Sequence, residues 1–249
     1  MDDSDSRMMC LHIPALLPQN LSVEISLPVQ SAAVIGAGLL YQGTQNRLIT
    51  EMLLAQIARK PTCDKMIERE GYALASGIAL GFVNLASGTS VVTAASQKVP
   101  NLGPQQPSSS SGNLSDLQLD ERLIRFVEGG KNLELPRSML STTQNSETQK
   151  SSAIKENDMV NIYITSSGAL ISLALIHLKS NNESIAKRLE VPSTFYQMEG
   201  VRPDLLLQKI LCRNLIMWDQ IEATSSWMSS QIPSIISTIY NSQIGEVDK

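Results

Sequence analysis

The sequence predicts an all-α fold in which helical hairpins repeat along the chain as an α-solenoid. Three long stretches carry no Asp, Glu, Lys or Arg, although 18% of the 249 residues are charged; they are residues 29–46, 71–97 and 159–178. A helix that is apolar on every side has to be buried on every side. Amphipathic segments follow these stretches, and hairpins of about 40 residues in series are typical of α-solenoids.

Small residues recur four positions apart within the uncharged stretches. The pairs are Ala32 with Gly36, Gly77 with Gly81, and Gly168 with Ser172. This spacing puts them on one helix face, where neighbouring backbones can approach closely. We therefore predict helix packing at Gly36, Gly38, Gly43, Gly77, Gly81, Gly88, Gly168 and Ser172. Gly43 and Gly88, which align with each other before a threonine, are also expected to end helices in the left-handed conformation.

The pattern divides the chain into an N-terminal extended segment, 1–28, and a repeat array, 29–240. The array contains units at about 29–60, 70–131 and 159–191, further helices at 203–222 and 226–240, and loop inserts at 96–113 and 136–157. The inserts are rich in Ser, Pro, Gly, Thr or Gln, a composition typical of loops. The alternating "MVNIYIT" at 159–165 suggests one short strand before the third unit.

The amphipathic partner helices carry local start and stop signals. The first partner covers 46–59, the second is expected to be capped by Ser115 and ended by Gly129-Gly130, and Asn182 or Ser184 can cap the third. Pro203 opens a later helix. Its apolar stripe consists of Leu207, Leu211, Leu215 and Trp218.

Gly36-Ala37-Gly38 superficially resembles the glycine-rich turn of a dinucleotide-binding fold. That fingerprint needs a third glycine at the sixth position and an acidic residue about 20 residues later. Tyr41 occupies the sixth position, and no acidic residue stands near Ala58. The glycines are therefore assigned to helix packing, and no cofactor or small-molecule ligand is expected.

Composition argues against several function classes. The net charge of −4 and the absence of a Lys/Arg cluster give no footprint for nucleic acid. The three cysteines match no metal-binding spacing, and His12 and His177 read as structural residues. With no nucleophile motif or paired carboxylates, the sequence predicts no catalytic or metal site. The uncharged stretches are long enough to cross a bilayer, but the second contains eight polar residues and lacks an aromatic belt.

The stretches "AAVIGAGLLYQGT", "REGYALASGIALGFVNLASGT" and "SGALISLALIHLKSNN" resemble proteasome/cyclosome repeats. Such helical hairpins occur in the two large non-ATPase subunits of the proteasome base and in the largest subunit of the anaphase-promoting complex. The segments "GLLYQGTQNRLITEMLLAQIAR" and "LLLQKILCRNLIMWDQI", with the residues between them, are similar to the anaphase-promoting-complex family over roughly 8–236.

The resemblance implies a toroid of two helix layers and a non-catalytic scaffold role within a ubiquitin ligase that controls mitosis. It also implies other subunits of that complex as partners, no membrane or nucleic acid, and a location in the nucleus and cytoplasm. The chain holds only about three repeat units and lacks the family's propeller region, so we interpret it as a fragment. A repeat subunit of the proteasome base and a multi-span membrane protein remain the alternatives.

Overall fold

The computed structural model describes residues 8–18, 25–59, 67–88, 114–131 and 159–238. Within these ranges the chain is helical, which confirms the all-α prediction. The helices are α1 (Leu27–Leu40), α2 (Arg47–Ile57), α3 (Ile67–Val83), α4 (Leu119–Glu128), α5 (Ile162–Ile176), α6 (Glu183–Arg188), α7 (Phe195–Glu199), α8 (Pro203–Ile216) and α9 (Ser225–Ser230). Residues 234–238 are also helical, whereas both predicted inserts, 96–113 and 136–157, lie outside the described residues.

Four helices form a row, here called the inner row, in which each packs against the next: α1, α3, α5 and α8. The remaining longer helices lie beside this row, with α2 against α3 and α4 against α5. Each of these two outer helices therefore packs against the inner helix that follows it in the chain. The result is an array in which these outer helices lie beside a row of inner ones.

Helix starts follow the local sequence. Asn46 caps α2, because its side-chain oxygen accepts a hydrogen bond from the Ile49 N–H at 3.2 Å. Asn182 caps α6 in the same way through the Ile185 N–H, so the predicted cap at Asn182 or Ser184 resolves to Asn182. Pro203 occupies the first turn of α8, where its missing N–H costs nothing.

Three expectations about local structure were wrong. Ser115 is not the N-cap residue of α4: Gln118 occupies that position, in the left-handed region with φ +48° and without a side-chain cap hydrogen bond, after a 3₁₀ turn over Ser115–Leu117. Arg122 stabilises this turn, since its Nε donates to the Leu117 carbonyl at 2.7 Å. The expected strand at 159–165 is reduced to an isolated bridge between Met159 and Lys131, because α5 already begins at Ile162.

The third correction concerns the N-terminal segment, which is not simply extended. Its described part, 8–18, contains helical turns, including the 3₁₀ turn Pro14–Leu16. Ile13 is fully buried and belongs to the same hydrophobic core as the inner row. The N-terminal stretch therefore packs onto the array rather than leading up to it.

The core is centred on α5. Leu170 and Leu173 have no exposed surface, and seven consecutive residues, 164–170, are buried. The uncharged composition of α5 is thus explained by burial on all sides. α1 differs, because among the described helices it has an inner-row neighbour on one side only; Val29 is 44% exposed and Leu39 is 53% exposed.

α8 closes the other end of the described inner row. Its buried residues are Cys212 and Ile216, whereas Leu207 and Leu211 are exposed. Two residues of the apolar stripe recognised in the sequence, Leu207 and Leu211, therefore lie on the outer side of α8, whereas Leu215 is partly buried against the core.

Candidate functional site

The candidate site of this protein is the seam along which the inner helices pack, because most of the residues that the sequence predicts for helix packing lie there. The seam begins at the turns that follow the inner helices. Each turn donates backbone N–H groups to the last carbonyls of the next inner helix. The bonds are Gly43 to Phe82 (2.9 Å), Gln45 to Val83 (3.0 Å), Ala86 to Leu175 (3.0 Å), Lys179 to Leu215 (3.1 Å) and Asn181 to Ile216 (3.0 Å).

These turn bonds satisfy carbonyl groups that a helix C-terminus leaves without an intrahelical partner. The first donor of each turn stands two residues after the position that follows its helix, and the first and third turns have a second donor two residues later. These positions are the C-cap residues Tyr41 after α1 and His177 after α5, and residue 84, which follows the last residue of α3. The set of bonds, here called the turn ladder, is made by backbone atoms alone.

The turn ladder requires left-handed backbone conformations. Gly43 has φ +67°, as predicted for a glycine after a helix. Non-glycine residues fill the other ladder positions, namely Gln45, Ala86, Lys179 and Asn181, with φ between +52° and +57°. The prediction for Gly88 was wrong: the left-handed residue in its turn is Ala86, and Gly88 does not have a positive φ.

Glycines bring the inner helices together at three points of the seam. A Cβ added to Gly77 would lie 2.2 Å from the carbonyl oxygen of Gly168, and one added to Gly168 would lie 2.4 Å from the Ala73 oxygen. α3 and α5 therefore meet backbone to backbone. A Cβ at Gly38 would lie 2.6 Å from the Cα of Ala79, which gives α1 and α3 a similar close approach.

The remaining predicted packing residues have different neighbours. Gly81 faces the side chain of Leu175, whose Cβ would be 2.7 Å from an added Cβ. Ser172 is fully buried, and its hydroxyl has no hydrogen-bond partner among the described residues. Gly36 does not lie on the inner-helix seam: its neighbour is the end of the Met9 side chain from the N-terminal stretch, with the sulfur 3.0 Å from an added Cβ.

Gly88 serves close packing against His177 rather than a helix C-terminus. A Cβ at Gly88 would lie 2.2 Å from the Nδ1 atom of His177. His177 is 4% exposed, and its Nε2 atom is 2.9 Å from a carboxylate oxygen of Asp120 on α4. The imidazole therefore joins the turn after α3, the end of α5 and the start of α4.

Replacing Gly88 with alanine should lower the free energy of unfolding by about 1–3 kcal/mol through overpacking, since Asp120 restrains the imidazole ring. His177→Ala should relieve the contact. In denaturant unfolding, the double variant is then expected to lose about 1 kcal/mol less than the sum of the two single losses. Purely additive losses would mean that the Gly88–His177 contact does not limit the packing.

The opposite edge of the inner row is joined by side chains. Arg202, the N-cap residue of α8, donates to Glu70 on α3 at 2.6 Å, to the Tyr163 carbonyl on α5 at 3.1 Å, and to Asp204. The hydrogen bonds to the two carboxylates raise the pKa of Arg202, with the bond to Asp204 contributing most. The same bond lowers the pKa of Asp204, so both groups are charged at neutral pH.

Three further possibilities concern the described residues: a reactive cysteine, a metal site and a membrane-spanning helix. Burial raises the pKa of the Cys212 thiol to about 12, so this residue stays protonated and is a poor nucleophile. No three His, Cys, Asp or Glu side chains cluster as metal ligands in the part of the chain that the structure describes. In that same part, none of the helices has the length and apolar character needed to span a bilayer.

Comparison with known proteins gives a consistent result. The sequence matches a family described as the APC1 fifth domain over residues 4–248. It is similar to proteins named anaphase-promoting complex subunit 1 from Homo sapiens (40% identity), Dictyostelium discoideum (32%) and Arabidopsis thaliana (32%). Each match covers 95% of this chain but only 11%, 12% and 13% of the respective relative. The chain thus spans about an eighth or less of the length of these relatives.

Proposed function

Because the chain belongs to the APC1 fifth domain family, we propose that it is a stretch of a non-catalytic scaffold subunit of the anaphase-promoting complex. That complex is a multi-subunit ubiquitin ligase that controls mitotic progression, and the repeats would organise its other subunits. The observation that carries the proposal is the family match over 4–248, which includes all described helices. A subunit of the proteasome base is not supported, since the matched relatives carry the name of anaphase-promoting complex subunit 1.

The packing of the described helices supports a scaffold more than a catalyst. Polar groups in the interior mostly bind one another or the backbone. Asn84, for example, is fully buried and donates to the Thr50 hydroxyl and to the Leu80 carbonyl, both at 3.1 Å. Tyr72 donates to Gln56 at 3.0 Å in the same region. Such pairs fix the relative position of α2 and α3, which is the task of a rigid platform.

The partners and location follow from the same proposal. The exposed apolar residues at the two ends of the described inner row, including Leu39 on α1 and Leu211 on α8, suit contact with further protein. We expect these contacts to involve the rest of the scaffold subunit and its sister subunits. The chain would then reside in the nucleus and cytoplasm as part of the assembled complex.

A chimeric scaffold tests this function in its natural setting. The matching stretch of the human relative is exchanged for this chain, and the tagged chimera is purified from cells. We expect the sister subunits to co-purify with the chimera and to be reduced when the stretch is deleted instead. Co-purification is measured by mass spectrometry of the purified complex.

A disruptive variant and its matched control refine this experiment. Within the chimera, Gly77→Leu disrupts the seam between α3 and α5, whereas Gly71→Ala changes an exposed position of α3 with no atom near it. Only the first should reduce assembly. The scaffold proposal fails if deletion of the stretch leaves assembly unchanged, or if the chimera is stable but recovers no sister subunit.

A further inference from the structure

A groove lies beside the last described helices, and none of the seam glycines lines it. It is formed by the segment after α6, by α8 and by the segment after α9, and it encloses about 450 Å³. Cavities of about 300–1,000 Å³ are typical of ligand sites. The groove is therefore large enough to take several side chains of a bound peptide.

The lining combines polar residues with apolar ones, and the apolar part includes two rigid residues. Side chains from three separate segments contribute to it: Leu189, Val191, Pro192, Ile210, Ile232 and Pro233. Proline carries no backbone N–H and has a fixed φ, so two of the wall segments are restricted before any ligand arrives. Such a surface can bury an apolar side chain at little conformational cost.

Arg213 is the unusual group in this groove. It lies in the last turn of α8, is half-buried, and lines the cavity. The other arginines of the described residues use their guanidinium groups on carboxylates, an amide oxygen or backbone carbonyls, as Arg188 does with Glu128 at 2.7 Å. The Arg213 side chain makes no hydrogen bond or ion pair with any residue that the structure describes.

Glu190 is the other charged residue of the lining, and it does not pair with Arg213. The Glu190 side chain is exposed, so solvent and salt screen its charge. The half-buried guanidinium therefore dominates recognition inside the groove. Its planar donors match a carboxylate, which can accept two parallel hydrogen bonds.

We propose that this groove docks an acidic peptide segment of another subunit, with an apolar side chain in the cavity and a neighbouring Asp or Glu paired with Arg213. The proposal rests on the scaffold function proposed above and names the chemistry of one of its partners. The apolar contacts supply burial, and the carboxylate fixes the register of the bound segment.

This chemistry can be tested by selecting peptides from a random display library for binding to the full 249-residue chain. We expect enrichment of sequences in which Asp or Glu stands next to Leu, Ile, Met or Phe. Arg213→Glu should weaken binding of the enriched peptides at least about tenfold and shift the enrichment toward Lys or Arg. Lys187→Glu, which changes an exposed cation on α6 outside the groove lining, should leave both affinity and preference unchanged.

A second variant probes the apolar part of the same site. Ile232 is 50% exposed and lines the groove, so Ile232→Ser should weaken the same peptides without changing the helical content measured by circular dichroism. The proposal is overturned if acidic residues are not enriched, or if Arg213→Glu leaves binding unchanged. It is also overturned if peptides bind only after residues 239–249 are deleted, because the chain's own end would then be the occupant.

The two proposals can fail separately. If the chimeric scaffold recovers its sister subunits but the peptide preference is absent, only the groove assignment is wrong. If acidic peptides bind through Arg213 but the chimera recovers no subunit, the scaffold function is wrong and the groove is a peptide site of another assembly.

Discussion

Replacing Gly77 with alanine is expected to lower the free energy of unfolding by about 3 kcal/mol, the upper end of the usual cost of overpacking. The new methyl group would lie 2.2 Å from the Gly168 oxygen and 2.5 Å from the Gly168 Cα. Backbone atoms cannot rotate away as a flexible side chain can, so α3 and α5 have to separate. Denaturant unfolding followed by circular dichroism measures the loss.

The matched control for this substitution lies in the same helix. Gly71 is exposed, and an added Cβ would meet no atom within 4 Å. Gly71→Ala should therefore stabilise the protein by about 0.5–1 kcal/mol, since alanine has the higher helix propensity. If Gly77→Ala also stabilises, the close approach of α3 to α5 does not occur in solution.

Leu173→Ala is expected to cost about 2–5 kcal/mol, because it removes a fully buried side chain from the centre of the array and leaves a cavity. Both α4 and α8 pack against the helix that carries it. The loss should appear as a lower denaturation midpoint with an unchanged slope, since the same surface is exposed on unfolding.

Leu207→Ala provides the comparison. Leu207 is 69% exposed on the outer side of α8, so its truncation should change stability by no more than about 0.5 kcal/mol. Equal losses for Leu173 and Leu207 would show that α8 presents a different face to the core from the one described here.

Much of the fold could be predicted because its signals are local. Asn46, Asn182 and Pro203 mark helix starts through their own side chains, which need only the next few residues. The spacing of Gly77 and Gly81 likewise predicted a close-packed face, because residues four apart lie on the same side of a helix. The family resemblance added the order of the units, which no local signal contains.

The remaining features depend on contacts between distant segments. The spacing of Gly88 predicted a glycine that ends a helix. In the structure, however, Gly88 packs closely against His177, and Ala86 takes the left-handed conformation. Hydrophobic periodicity could show that α8 has an apolar stripe, but could not show which face meets the core. Arg213 carried no signal in the sequence, since its groove is formed by three segments that only the fold brings together.

Because the turn ladder consists of backbone hydrogen bonds, the spacing that it sets between the inner helices does not depend on which side chains the turns carry. Its three turns read Gly-Thr-Gln, Ala-Ser-Gly and Lys-Ser-Asn at 43–45, 86–88 and 179–181, yet in each turn the first of these residues donates its backbone N–H to the next inner helix. Substitutions that keep the left-handed conformation can therefore accumulate along this edge without changing the pitch of the array. Selection can adjust the charge and shape of the outward-facing strip, of which Thr44, Lys179 and Asn181 are exposed members, while the framework beneath it stays constant.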